Sequence, residues 1–163
     1  MRPTIEGRCF RALQEFDLDA VISIEKRAYT FPWTRGMFRD CLRVGYLAHV
    51  LEIDKKIIGY GVVSVAAAEA HLLNISILPE CQAKGNGQAL LMSLFRASRR
   101  LGASRMFLEV RVSNQAAISL YHKMGFNEID QRKNYYPAVH GREDALVMAL
   151  EFEPGDHFAV SVV

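Results

Sequence analysis

The 163-residue sequence predicts an α/β layered domain built on a mixed sheet. Three features carry that reading. Apolar runs of strand length alternate with longer stretches whose apolar residues recur at helical spacing. A short polar turn joins two of the strands directly, which makes that pair antiparallel, while a long helix separates others and allows parallel pairing. Half of the residues are apolar and 23% are charged, a balance with which a chain of this length can bury one core. A single domain over residues 1–163 is therefore expected.

The elements follow in order. A strand over residues 8–13 comes first, and Asp17 is placed to N-cap a helix whose stripe holds Leu18, Val21, Ile22, Ile24 and Ala28. Pro32 stops it. Thr34 then caps a second short helix with Met37, Phe38, Cys41 and Leu42 at helical spacing. Residues 46–53 and 57–67 read as strands joined through Asp54-Lys55-Lys56, and a third run, 71–78, ends at Pro79-Glu80. A glycine-containing turn feeds a long helix with Ala89, Leu90, Leu91, Leu94, Phe95 and Leu101, closed by Gly102. A strand at 105–110, a helix from its Asn114 cap to Met124 with Gly125 as its stop, and strands near 127–133 and 145–152 complete the order. Residues 154–163 form an appended tail with no assigned function.

Composition excludes several function classes. The net charge is +2, with Lys and Arg scattered among Asp and Glu, so the stripe that a nucleic-acid backbone requires is missing. The start lacks a basic-then-apolar leader, and no apolar run approaches the ~20 residues that span a bilayer. A cytoplasmic protein bound neither to nucleic acid nor to membrane is expected. Cys9, Cys41 and Cys81 are odd in number, widely spaced and without a CxxC pair, which argues against a disulfide framework or a zinc site. Nothing pairs a base with Cys81, so a cysteine nucleophile is not indicated. His49, His71, His122, His140 and His157 show no ligand spacing, and no metal is expected.

The informative unit is the turn Gln82-Ala83-Lys84-Gly85-Asn86-Gly87 between an apolar strand and a helix. Two glycines one residue apart let successive backbone N–H groups point into one concavity, and the helix start adds unpaired N–H groups and its positive dipole end. An anion such as a pyrophosphate can be held there. A phosphate-binding loop would need Gly-Lys-Ser/Thr, and a dinucleotide fingerprint a third glycine; neither is present. A tight connection without a ligand is the alternative reading of these glycines alone.

The turn has company. The strand Leu73-Asn74-Ile75-Ser76-Ile77 precedes it, and some 20 residues later come Leu108-Glu109-Val110-Arg111-Val112-Ser113-Asn114 and then Ala117-Ile118-Ser119-Leu120-Tyr121-His122-Lys123-Met124-Gly125-Phe126. This set resembles the GCN5-related N-acetyltransferase (GNAT) superfamily over roughly residues 8–150. Phe31-Pro32-Trp33, Asn134-Tyr135-Tyr136-Pro137 and Gly141-Arg142-Glu143-Asp144-Ala145 resemble a narrower group, the RimI type, bacterial enzymes that acetylate the N-terminal alanine of a small-subunit ribosomal protein, the eighteenth.

The resemblance implies a mostly antiparallel central sheet with splayed strands, and acetyl-CoA as cosubstrate. Ile75, Ser76 and Ile77 would offer it backbone groups where the strands part, Ala83, Lys84, Gly85, Asn86, Gly87 and Gln88 would cradle the pyrophosphate, and Asn114 would bond it from the next helix. Asn86 stands where many relatives carry an apolar or basic residue; its backbone N–H can still donate. The same resemblance makes Trp33, Tyr135 and Tyr136 walls of a groove for the N-terminal peptide of the ribosomal protein, the expected partner of a monomeric enzyme. Loop aromatics that pin a turn to the core are the other reading. Glu143 and Asp144 would answer a basic peptide or pair with Arg142.

Acetyl transfer to an amine needs a neutral amine, a polarised carbonyl and a proton for the departing thiolate. Strand alternation sets Glu109 with Phe107 on the face opposite Met106, Leu108 and Val110, where its carboxylate can reach a cleft at the sheet surface, and the resemblance makes it the base. A strand-end glutamate paired with Arg105 or Arg111 is its structural alternative. Tyr121 shares an apolar stripe with Ala117, Ile118 and Met124, as a core tyrosine would. The resemblance gives it the role of general acid, and a phenol is protonated at pH 7. Direct attack in a ternary complex is then expected. Acetylation of another amine, a lysine or a small molecule, and a non-catalytic CoA-binding module remain alternatives, since this fold serves many acceptors.

Overall fold

In the computed structural model, which describes residues 4–5 and 7–154, the polar turn after residue 53 is a two-residue one. Ile53 pairs with Lys56, and Asp54 and Lys55 take φ values of 50° and 65°, the left-handed geometry whose twist suits a tight hairpin. It joins β3 (Leu47–Ile53) to β4 (Lys56–Ala66). A second such turn, Ala67-Ala68 at φ 51° and 64°, joins β4 to β5 (Glu69–Ile77). Two alanines carry no turn signal, so this strand starts two residues before the expected 71.

At one edge stand β1 (Thr4–Ile5) and β2 (Arg8–Ala12). Beyond β5 come β6 (Arg105–Arg111), β7 (Asn127–Pro137) and β8 (Arg142–Glu151), in the spatial order β1-β2-β3-β4-β5-β6-β8-β7. Every neighbouring pair is antiparallel except β5 and β6. That parallel pair needs a crossover, which α3 (Asn86–Arg100) supplies. The other helices are α1 (Leu18–Ala28), α2 (Arg35–Arg43) and α4 (Gln115–Lys123). Among the described residues no helix is long and apolar enough to cross a membrane. The tail at 154–163 lies outside the described residues apart from Pro154.

Parallel pairing between β5 and β6 lasts only from Glu69 opposite Arg105 to Leu72 opposite Leu108. Directly after it β5 carries a bulge against β4: Val62 pairs with Asn74 and Val63 with Leu72, so Leu73 is an extra residue. A bulge bends its strand. From there β5 stays with β4 while β6 stays with β8 to Arg111, and the sheet splits.

The core lies between the sheet and α3, where Leu90, Leu91, Leu94 and Phe95 are fully buried with Met106, Leu108 and Phe126. Each such side chain contributes about 1.5–3 kcal/mol on burial. A Cβ on Gly61 of β4 would lie 2.5 Å from Leu94 Cδ1, so any larger residue there would force the Leu94 side chain of α3 to shift.

Two local expectations are corrected. Asp17 does not cap α1 with its side chain; it sits in helical conformation, and its carboxylate accepts from Gln14 N–H at 2.8 Å and from Arg11 at 2.7 Å. Burial pushes that carboxyl up, but Arg11 and the Gln14 N–H outweigh it and hold it below the ordinary carboxylate range. Tyr135 and Tyr136 are not loop residues, because β7 runs on to Pro137 rather than stopping near 133. Arg132 pairs with Ala145 and Tyr136 with Glu143, so residues 133–135 bulge opposite Asp144, with Asn134 at φ 51°. Thr34 and Asn114 do cap their helices, accepting from Met37 N–H at 3.3 Å and Ala117 N–H at 3.2 Å.

Candidate active site

The split between β5 and β6 opens a cleft of about 230 Å³. Glu109 and Arg111 of β6, Asn74 and Ile75 of β5, Asn114 at the start of α4, Tyr121 on α4, Tyr136 on β7 and the segment carrying Tyr29 and Trp33 all line it. Residues far apart in sequence meet here because the β6 edge lost its β5 partner.

Glu109 is oriented from two sides. Its Oε2 lies 2.6 Å from His71 Nε2 and its Oε1 3.6 Å from an Arg132 nitrogen. The His71 hydrogen bond, helped by Arg132 and opposed by burial, holds its carboxyl below the ordinary range, so it enters the cleft ionised. Neither Arg105 nor Arg111 is its partner: Arg105 lies 3.5 Å from Glu151, and Arg111 donates to Glu143 at 2.9 Å. Tyr121 is buried, its ring 5.6 Å from that of Phe126, and it also lines the cleft, so the core reading and the cleft reading both hold. Burial raises its phenol well above the ordinary value, and it keeps its proton at neutral pH. An ionised carboxylate and a protonated phenol thus face one cavity.

Two residues at the cleft floor were not anticipated, Glu25 and Tyr29. Glu25 is buried and accepts from Trp33 N–H at 2.9 Å, from Asn74 Nδ2 at 3.0 Å and from the Tyr60 hydroxyl. It ties α1, the 29–33 segment, β4 and β5 together under the split. Tyr29 donates its hydroxyl to the Ile75 carbonyl at 2.5 Å. A signal for Glu25 existed: it is an acidic residue at i+4 from Val21 on the apolar stripe of α1.

The aromatic wall is held by Arg111. Its guanidinium lies over the Tyr136 ring at 4.5 Å and the Phe31 ring at 5.6 Å, and donates to the Pro137 carbonyl at 2.7 Å. Tyr135 packs edge-on against Tyr136 at 4.9 Å, with Arg132 over its ring, but it does not line the cleft. Burial and then Glu109 push the Tyr136 phenol up to about 12. Trp33 is half-buried against Phe38 at 5.3 Å, so it both pins its segment and faces the cavity. Glu143 and Asp144 do not pair with Arg142, which donates instead to the Asn134 and Tyr135 carbonyls at 2.8 Å. Asp144 accepts from Gln131 and Asn134 N–H.

The Gln82-to-Gly87 turn stands at the end of β5. Ala83 and Gly85 take φ values of 56° and 80°, and Gly85 is the N-cap of α3, whose first backbone bond runs from Ala89 N–H to Gly85 O. The N–H groups of Asn86, Gly87 and Gln88 therefore have no helical carbonyl to bond, the arrangement that suits a phosphate. Side chains fix the turn from behind. Asn86 is buried, accepting from Arg8 Nε at 2.8 Å and donating to the Cys81 carbonyl at 2.8 Å. Arg8 also donates to the Lys84 carbonyl at 2.9 Å, and Gln82 to the Ile77 carbonyl at 2.9 Å. Asn86 thus clamps the turn to β2.

The profile of the acetyltransferase (GNAT) family matches residues 18–126. The [ribosomal protein bS18]-alanine N-acetyltransferase of Escherichia coli (strain K12) is 42% identical over 139 residues, which cover 85% of this chain and 94% of that protein. The protein of the same name from Haemophilus influenzae (strain ATCC 51907 / DSM 11121 / KW20 / Rd) is 41% identical over 138 residues, covering 84% and 94%. The crystal structure of the ribosomal-protein-S18-alanine N-acetyltransferase from Escherichia coli matches with a TM-score of 0.84 at 40% identity, over 92% of this chain and 97% of that one. On the profile match, the identity and the matching fold, the chain belongs to the acetyltransferase (GNAT) family.

Proposed function

We propose that this chain is a protein N-terminal α-amino acetyltransferase that moves the acetyl group of acetyl-CoA to the N-terminal alanine of ribosomal protein bS18. The likeness along nearly the whole chain to enzymes named for that reaction carries the reading. The site's chemistry supports it.

Acetyl-CoA supplies the activated acyl group. The first-turn N–H groups of α3 and the Ala83 to Gln88 turn would hold its pyrophosphate, and the β5 backbone at Ile75, Ser76 and Ile77 would hold the arm that leads to the thioester. Asn114 caps α4 through its carbonyl oxygen, which leaves its amide N–H groups for the cosubstrate. Glu109 takes a proton from the acceptor's ammonium, directly or through a water, and an α-amino group of pKa ~7.7–8.0 asks little of that base. Tyr121 gives its proton to the leaving thiolate. Positioning of the two substrates in one cleft does the remaining work.

Trp33 and Tyr136 would flank the entering peptide, with Tyr135 steadying Tyr136 from outside. The reading sets the work in the cytoplasm and needs only one chain. The test is to incubate the protein with acetyl-CoA and a peptide copying the bS18 N-terminus and to map the product by mass. Modification of the α-amine supports the proposal. A product on a lysine or small amine alone moves the acceptor, and CoA binding without turnover on any amine leaves a binding module.

A further inference from the structure

Proton accounting leaves one step without a carrier. A terminal ammonium brings three N–H protons and the amide product keeps one. As the C–N bond forms and the C–S bond breaks, one of the two departing protons ends on the coenzyme A thiol, through Tyr121. The other must reach water once per turnover. Glu109 receives it inside the cleft, where its side chain is only 11% exposed.

Of the two groups on the Glu109 carboxylate, Arg132 has no lone pair to accept a proton. The other is His71, at 2.6 Å from Oε2, and its side chain is 39% exposed. An imidazole takes up and releases protons near neutral pH. The register puts it there: His71 pairs with Phe107 in the last paired stretch before the split, on the sheet face that Glu109 shares. His71 does not line the cleft, whereas Glu109 does.

We propose that His71 is the outlet for the substrate's proton: Glu109 takes it from the acceptor amine and passes it to Nε2 of the Nδ1–H tautomer of His71. The imidazolium releases its Nδ1 proton to solvent and is left donating Nε2–H to the carboxylate, and tautomer exchange with water resets the ring. His71 acts through Glu109 and does not touch the substrate. Among the described residues, the other charged groups that the register places on that face are Glu69 of β5, Arg105 and Arg111 of β6, Glu143 and Glu151 of β8, and Asp130 and Arg132 of β7.

This rests on the acetyltransferase reading, and the experiment separates the two. Acetyl transfer to the bS18 peptide, or to whichever amine the wild type accepts, is measured with His71→Ala and His71→Gln across pH, with and without added imidazole. The expected result is a fall in kcat of about 100-fold in both variants, with the KM for acetyl-CoA unchanged, and partial recovery on adding imidazole. Gln can still hydrogen-bond Glu109 but cannot carry a proton, so a purely structural His71 would leave His71→Gln near the wild-type rate. That outcome, or slow variants that imidazole does not rescue, overturns the relay. A wild type that acetylates no amine overturns the functional reading and the relay with it.

Discussion

On the side of the split formed by the end of β5 and the start of α3, the groups offered to a ligand are backbone N–H groups. On the side formed by β6, β7 and the 29–33 segment they are side chains. The first wall needs only glycines, a helix start and a clamp from Arg8 and Asn86. The second depends on three segments brought to one place by a β5 strand that ends its pairing with β6 at Leu72, a bulge at residues 133–135 and a guanidinium stacked between Tyr136 and Phe31. A backbone-built wall suits a cosubstrate common to a whole family. A side-chain wall can be varied to choose the acceptor.

The sharpest way to break this division is at the chemistry between the walls. Tyr121→Phe and Glu109→Gln should each lower kcat by about 100-fold or more while the KM for acetyl-CoA stays within a factor of two; equal losses in acetyl-CoA binding would show that neither group is confined to the transfer step. Next comes a crossed test of the walls. Tyr136→Ala should raise the KM for the peptide about 10-fold and spare that for acetyl-CoA, and Arg8→Ala should do the reverse. If each variant moves both constants together, the two walls are not separable.

How legible these walls were in the sequence follows from what each is made of. Glycine spacing and a helix start are local, so the turn, its position after a strand and the caps at Thr34 and Asn114 could be read directly. Glu109 and Tyr121 could be named from their motif, but their surroundings could not. The His71 contact needs the β5/β6 register, and no periodicity encodes a parallel register across a 15-residue crossover helix. Tyr136 looked like a loop residue because it stands beside Pro137, whereas Pro137 is paired with Arg142 and residues 133–135, with Asn134 at positive φ, form a bulge within β7. The Ala67-Ala68 turn had no signal at all.

Two smaller effects concern the frame that carries both walls. Glu25→Ala should destabilise the fold by on the order of 3 kcal/mol, since it leaves the Asn74 amide and the Tyr60 hydroxyl buried without their acceptor. Chemical denaturation checks this, and an unchanged midpoint would remove Glu25 from the frame. Asp17 predicts an acid limb. Its folded-state pKa is depressed, so its contribution is present above its unfolded pKa of ~3.9 and is lost as pH falls through the folded value. Melting temperatures recorded from pH 6 to pH 2 should therefore fall less steeply in Arg11→Met than in the wild type; parallel curves would contradict the pairing.

The most direct test of the central claim is a product map. The protein, acetyl-CoA and a peptide beginning with the alanine of bS18 and containing internal lysines are incubated, and the acetylated atom is located by fragment masses. The account predicts one acetyl group on the α-amine, formed about 100-fold more slowly when Glu109→Gln replaces the wild type. Acetyl groups on the lysines with the α-amine untouched would contradict it.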